Sequence, residues 1–327
     1  MIIFSILFII LGCLYFLFYP EQNPKIRYGV VAIVFVSILT YYQSYLMSTF
    51  RSKNSFETLS FIQIADSIVN ILTIILVIYF SYYGMILKSV IVIFIYVILL
   101  HIYRPIKVDL IWDYKSLSKL LKVGLPIFGL AMIESFSSTM DKLWLIKFSN
   151  AKDLGLYSFG LYGYTVFLLF SSSIASYVYP KMSYSFGKQG DVRMLWEFVK
   201  KITIIMLGIQ IAIAIIGFLS IPTLISCFFP NYIQSTSVMQ ILLFAGIFKG
   251  SVVGVNALWS MKKWRFMILY QSISGFLLIC FTLIGAYCFL NKIEGVAYGI
   301  LIANILSFLL GITLVFTTTK TNYESNR

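Results

Sequence analysis

The sequence predicts an all-α polytopic membrane protein of about ten transmembrane helices, arranged in two pseudo-repeated lobes. Three observations predict it: extreme apolarity, apolar runs of helical length, and a one-sided distribution of basic residues. Of the 327 residues, 60% are hydrophobic and only 11% charged, and the mean hydropathy is +0.92. A soluble domain carries roughly 25% charged residues. A chain this apolar has too little polar surface to cover a water-soluble globule, so lipid must be its solvent. Only helices or closed barrels satisfy their backbone inside lipid. The apolar runs are roughly 18–25 residues long and do not alternate, which selects helices over barrel strands.

The spans read at approximately 2–19, 28–48, 59–80, 84–103, 124–148, 155–179, 201–221, 237–259, 265–289 and 294–317. Breaks fall at charged or proline-containing stretches such as PEQNPKIR (20–27) and FRSKNSFE (50–57). The first run, Ile2 to Phe18, lacks the basic lead-in and small-residue cleavage site of a secretory signal, so it reads as a retained span that begins abruptly. The uncharged segment 222–236 is the longest outward loop.

An even number of spans puts both termini on one side, and charge identifies that side. The chain has 25 Lys and Arg against 12 Asp and Glu, a formal charge of +13. With the termini in the cytoplasm, the outer loops carry only Lys25, Arg27, Lys147, Lys152 and Lys292, while Lys88, Lys142 and Lys249 fall inside spans. All other basic residues lie in the inward regions 50–57, 104–123, 180–201, 260–265 and the C-terminal tail. Basic residues accumulate in cytoplasmic loops during insertion, so both termini are expected in the cytoplasm, and the charge implies no nucleic-acid partner. The five tryptophans, Trp112, Trp144, Trp196, Trp259 and Trp264, fall near span ends or in interfacial loops. The stretches VDLIWDYKSLSKLLK (108–122) and MLWEFVKK (194–201) read as amphipathic helices in the headgroup layer. Cys13, Cys227, Cys280 and Cys288 show neither metal-ligand spacing nor a disulfide framework.

A weak internal repeat divides the chain. FRSKNSF (50–56), a long apolar span and YYG (82–84) recur as SMKKWRF (260–266), a long apolar span and IEG (293–295). Spans two to four therefore match eight to ten, and span one pairs with seven; chance similarity between apolar helices is the competing reading. The expected lobes are 1–107, with four spans, and 108–327, with six. The simplest architecture is six plus six with the first two helices missing. Repeated halves of this kind are characteristic of transporters.

The most distinctive stretch is 119–167. It combines a basic amphipathic lead-in, Gly124-Leu125-Pro126 near the start of a span, Asp141-Lys142 at its far end, and Leu154-Gly155-Leu156-Tyr157-Ser158 opening the next. With the exit Tyr179-Pro180-Lys181-Met182-Ser183, these elements resemble the polysaccharide flippases of the multidrug/oligosaccharidyl-lipid/polysaccharide exporter superfamily. The resemblance covers essentially the whole chain, from the family's third helix to its last. It implies two lobes around a cationic cavity in a bacterial inner membrane. It also implies that an undecaprenyl-diphosphate-linked sugar repeat unit moves to the outer leaflet by alternating access, for O-antigen or another surface polysaccharide. The partners implied are the lipid-linked oligosaccharide, membrane lipids and the polysaccharide polymerase machinery.

Moving a pyrophosphate and a glycan through hydrocarbon requires cations and polar side chains in a wet cavity. Ionisable residues inside spans are costly and are functional candidates by default. Lys249, mid-way along span eight, and Lys88, in span four, are candidate phosphate partners; for Lys88, snorkelling to the outer interface competes. Glu134, Ser138 and Asp141 share one face of span five, with Lys142 beside them. They read as a polar stripe on a cavity wall in which Glu134 titrates, against an end-of-helix Asp141–Lys142 ion pair. Asp66, with Gln63 and Asn70 on its face, serves either interhelical packing or substrate. His101 reads as a solvated interfacial residue, and Tyr157, Tyr162, Tyr164, Tyr177 and Tyr179 as sugar-stacking or core rings. No phosphate-binding glycine loop, zinc site or hydrolytic triad occurs, so neither cofactor, metal nor catalytic residue is expected, and the chain reads as a transporter rather than an enzyme. Two rivals remain: a cation-coupled small-molecule exporter of the same superfamily, and a repeat-unit polymerase. The uncharged 222–236 loop counts against the polymerase.

Overall fold

The structure, a computed structural model, describes residues 10, 24–53, 55–106, 114–189 and 192–325. The span expected at 2–19 lies outside the described residues, apart from Ile10, as do residues 108–113 of the first amphipathic stretch. The described residues are helical and contain no strand. Large apolar side chains point outward throughout: Phe61 and Ile78 are each 73% exposed, and Leu219 is 71% exposed. A soluble surface does not tolerate that much contiguous apolar area, whereas lipid does.

The chain divides into two compact units, 1–112 and 113–327. Unit 1 contains α1 (Pro24–Ser52), α2 (Phe56–Leu72) and α3 (Ile74–Ile102) around a core of Leu46, Phe50, Leu59, Ile62, Tyr96, Val97 and Leu100. Unit 2 contains α4 (Tyr114–Phe148), α5 (Ala151–Gln189), α6 (Val192–Phe228), α7 (Thr236–Ser251), the short α8 (Asn256–Ser260), α9 (Trp264–Cys288) and α10 (Lys292–Ser325). Short 3-10 segments, Pro230–Ser235 and Val252–Val255, flank α7. The element 230–260 is the most enclosed, with 67% of its apolar stretch buried, and α5, α6 and α10 pack around α7.

Among the described residues, seven helices are long and apolar enough to cross a membrane, and the bent α4 makes eight. The difference from ten arises in unit 1. Besides the undescribed first span, α2 is only 17 residues long and stops at Thr73, whose hydroxyl donates to the Val69 carbonyl (2.8 Å). The helix resumes at Ile74 and is broken again at Ser81, which has a positive φ of 48°. There the chain turns back: a Cβ on Gly84 would stand 1.9 Å from the Leu76 carbonyl oxygen, eight residues earlier. In a straight helix those residues would be about 12 Å apart. The segment 74–102 is therefore the end of one span, a reversal, and the next span.

Two further expectations are corrected. The stretch 194–201 is not a separate surface helix but the first turns of α6, because no breaker separates it from the apolar run that follows. Residues 114–122, by contrast, form a helical segment set off from the rest of α4 by a 45° bend before Gly124, so the expected lead-in helix is not overturned. Segment 222–236 is not a loop: α6 runs through Pro222 to Phe228. A proline inside a helix removes the N–H that would bond the carbonyl four residues back. Here that carbonyl, on Phe218, is satisfied by the Gln240 side-chain amide from α7 (3.0 Å).

The α9–α10 hairpin is held by backbone contact between small residues. A Cβ on Gly285 would lie 2.0 Å from the Gly295 oxygen, and one on Gly295 2.2 Å from the Gly285 oxygen. In lipid, where apolar surface gains nothing by leaving solvent, such close approach is what makes helices associate. Gly295→Ala is expected to cost about 1–3 kcal/mol through overpacking, seen as a lower thermal midpoint in detergent. Gly129→Ala, where a Cβ meets nothing within 4 Å, should leave the midpoint unchanged.

Candidate functional site

Unit 2 encloses a cavity of about 370 Å³ between α4, α5, α7, α9 and α10. Its lining includes apolar side chains, among them Leu161, Leu168, Leu278 and Ile300. It also brings together five of the residues singled out from sequence: Glu134, Ser138, Asp141 and Lys142 from α4, and Lys249 from α7. The spacing of the α4 residues puts them on one face of that helix, as read from the sequence.

Lys249 occupies the last turn of α7, just before the backbone tightens over Val252–Val255. Its Nζ lies 3.3 Å from the Glu134 carboxylate oxygen, 115 residues earlier. The Glu134 side chain is 56% exposed and that of Lys249 34%, so the pair faces the cavity rather than being sealed in the core.

Asp141 lines the cavity with the rest of the stripe but is not the end-of-helix ion partner of Lys142. It does not pair with the Lys142 ammonium, and it stands two turns before the end of α4. Its carboxylate accepts hydrogen bonds from the buried Tyr157 hydroxyl on α5 and from the Lys142 backbone N–H (2.7 Å). The resulting link ties α4 to α5.

Several polar residues of the cavity were not singled out. Asn304 on α10 is only 5% exposed and donates to the Tyr164 hydroxyl (3.1 Å) and the Ala245 carbonyl (3.2 Å). Both amide hydrogens are thereby used, and Tyr164, accepting from Asn304, keeps its own hydrogen to donate. Gln271, Ser274 and Ser307 complete the polar lining. Deeper in the unit, the fully buried Gln210 donates to Ser171 (2.7 Å), while its Oε1 has no partner among the described residues. The signal that could have found Asn304, Gln271 and Gln210 is a single amide within an otherwise apolar run.

Asp66 and Lys88 are not part of this cavity. They belong to unit 1 and line a second one, of about 300 Å³, with Gln43, Asn70, Ser89 and Tyr96. His101 sits at the exposed end of α3, where Tyr42 meets its Nδ1 (2.5 Å). Cys227, Cys280 and Cys288 are free thiols.

Residues 1–229 match the polysaccharide biosynthesis protein family. The chain belongs to that family. No curated protein sequence matches it. Among solved structures, an inward-facing multidrug resistance MATE family transporter of the MOP superfamily aligns with a TM-score of 0.79. That alignment has 13% identity and covers 99% of this chain and 81% of the other. The lipid II flippase MurJ in an inward closed conformation aligns with a TM-score of 0.71 and 16% identity, covering 97% and 70%. The MATE transporter VcmN of Vibrio cholerae, in a bent form, aligns at 0.60 and 15%, covering 98% and 78%. At these identities the likeness establishes the fold. Family and fold together make this chain a multi-pass membrane protein of polysaccharide biosynthesis.

The Asp141–Tyr157 link makes a stability prediction for this family member. Tyr157→Phe leaves a buried carboxylate short of a donor and should cost about 1–3 kcal/mol. In a cycle with Asp141→Asn, thermal melts in detergent should show the two losses to be non-additive; additive losses would mean that the bond contributes nothing.

Proposed function

We propose that this chain moves oligosaccharide repeat units linked to undecaprenyl diphosphate from the cytoplasmic to the outer leaflet by alternating access, for O-antigen or another surface polysaccharide. The observation that carries the reading is the Lys249–Glu134 pair, facing a polar cavity within a bundle of apolar helices. A diphosphate crossing hydrocarbon needs a cation that is held in place but not locked away. Lys249 supplies a point charge with three donors. Ser138 and Tyr164 supply hydroxyls and Asn304 its amide oxygen for the polar remainder, and the apolar lining residues accept groups that carry no hydrogen bonds. The match to a polysaccharide biosynthesis family favours a glycan-bearing lipid over a drug, and MurJ, which has a similar fold, is a lipid II flippase. The product would be consumed in the outer leaflet by a polymerase.

Deleting the gene in its host should trap the lipid-linked repeat unit on the cytoplasmic face, and restoring the protein should return it to the outer face. A deletion with no cytoplasmic accumulation, in a strain without a second flippase, would remove this substrate. Lys249→Ala should lower translocation by about tenfold or more, the usual cost of losing a charged hydrogen-bond partner, while Lys249→Arg keeps part of it. Unchanged export by a normally inserted Lys249→Ala protein would make the lysine structural.

With both termini cytoplasmic, the C-terminal ends of α6 and α9 face outward. The exposed Cys227 and Cys288 should then react with a membrane-impermeant maleimide in intact spheroplasts. Labelling that appears only after permeabilisation would invert the topology.

A further inference from the structure

We propose that the cavity of unit 1 is a saccharide-binding site that reads one sugar residue of the transported glycan. Three helices contribute to it: Gln43 from α1, Asp66 and Asn70 from α2, and Lys88 and Ser89 from α3. A carboxylate, an ammonium and two amides at one place in apolar helices are expensive unless they satisfy one another. Among the described residues they do not. Asp66 Oδ1 is buried without a hydrogen-bond partner, and no ion pair joins Asp66 to Lys88. The Gln43 amide donates only to the Met47 thioether, at 3.7 Å, and sulfur is a weak acceptor. Interhelical packing, the simplest role for such residues, would have used these groups on each other.

The chemistry of the unsatisfied set selects the ligand. A bare anion would be opposed by Asp66, a bare cation by Lys88, and an apolar group would leave both amides unpaired. A neutral ring bearing neighbouring hydroxyls answers every group: hydroxyls donate to the Asp66 carboxylate, accept from Lys88, and do both with Gln43 and Asn70. Val92 and Ile93 offer an apolar wall to the C–H face of such a ring. A volume of about 300 Å³ suits one sugar residue, at the small end of the range for ligand sites. The inference rests on the glycan-lipid reading for its physiological ligand, but the site itself can be tested without it.

The test uses the full chain in nanodiscs and saturation-transfer NMR with free glucose, galactose, N-acetylglucosamine and rhamnose, a readout that tolerates weak affinity. At least one sugar should show transfer. Asp66→Asn and, independently, Asn70→Ala should each weaken it about tenfold, the scale of a lost hydrogen bond to a charged or buried partner. Thermal melts identify a variant that has failed to fold, in which case the other variant decides. No transfer from any sugar overturns the proposal, as does unchanged transfer in both variants. Saturable sodium or glycine binding abolished by Asp66→Asn, in place of sugar binding, also overturns it, because the site is then one for a cation or a zwitterion. Inorganic pyrophosphate titrated into the unaltered protein separates the two readings. Pyrophosphate binding without sugar binding removes only the present inference, whereas sugar binding without pyrophosphate binding keeps it and counts against the diphosphate role of Lys249.

Discussion

An ammonium inside a bundle of apolar helices is costly unless other groups stabilise it, and the arrangement of unit 2 follows from housing that of Lys249. A partner charge must come from another helix, and Glu134 of α4 provides it across 115 residues of sequence. The helix bearing the lysine must be enclosed, and α5, α6 and α10 enclose α7. The surrounding amides and hydroxyls must be satisfied or face a wet cavity; Asn304, bonded to Tyr164 and Ala245, does both.

The same constraint explains how α4 is attached. It packs chiefly against α9 and only sparingly against α5, and most of its side chains are exposed. Two polar links supplement this packing: Glu134 to Lys249 on α7, and Asp141 to Tyr157 on α5. One link is buried and the other opens to the cavity, so they differ in consequence. The Asp141–Tyr157 bond joins two nearly sealed side chains, and breaking it would orphan a buried carboxylate. The Glu134–Lys249 pair is within reach of any ligand that enters, and its strength depends on what else is there. The helix is thus held at one point by a sealed bond and at another, reversibly, by a pair that a ligand can reach.

Much of this was legible in the sequence, for reasons that particular residues make plain. Lipid imposes a uniform rule, so apolar runs located most helices and the period of 3.6 placed Glu134, Ser138 and Asp141 on one face. Their convergence with Lys249 could be suspected because each is costly alone. What was not legible depended on contacts between distant segments. Pro222 read as a loop boundary because nothing local reveals that Gln240 would satisfy the Phe218 carbonyl. Asp141 read as the partner of its neighbour Lys142, whereas a hydroxyl from the next helix outcompetes it. Asn304 was not singled out, because its partners Tyr164 and Ala245 lie on α5 and α7, far from it in sequence.

On the proposed reading, the resident carboxylate beside Lys249 also addresses the hardest demand on a carrier, which is to release what it binds. A lone buried ammonium would hold a diphosphate too well, since letting go would strand an unpaired charge at a cost of several kcal/mol. A permanently neutral site would not bind it at all. With Glu134 at 3.3 Å the lysine always has an anion to return to. Cargo binding then exchanges one anionic partner for another, and release exchanges them back. The net free energy is a difference between two similar interactions and stays small in both directions. The exchange would also leave Glu134 without its partner while cargo is bound, loosening the reversible one of the two polar links that hold α4. Occupancy of the cavity and the attachment of that helix would thus be coupled through a single side chain, with no cofactor or catalytic step required.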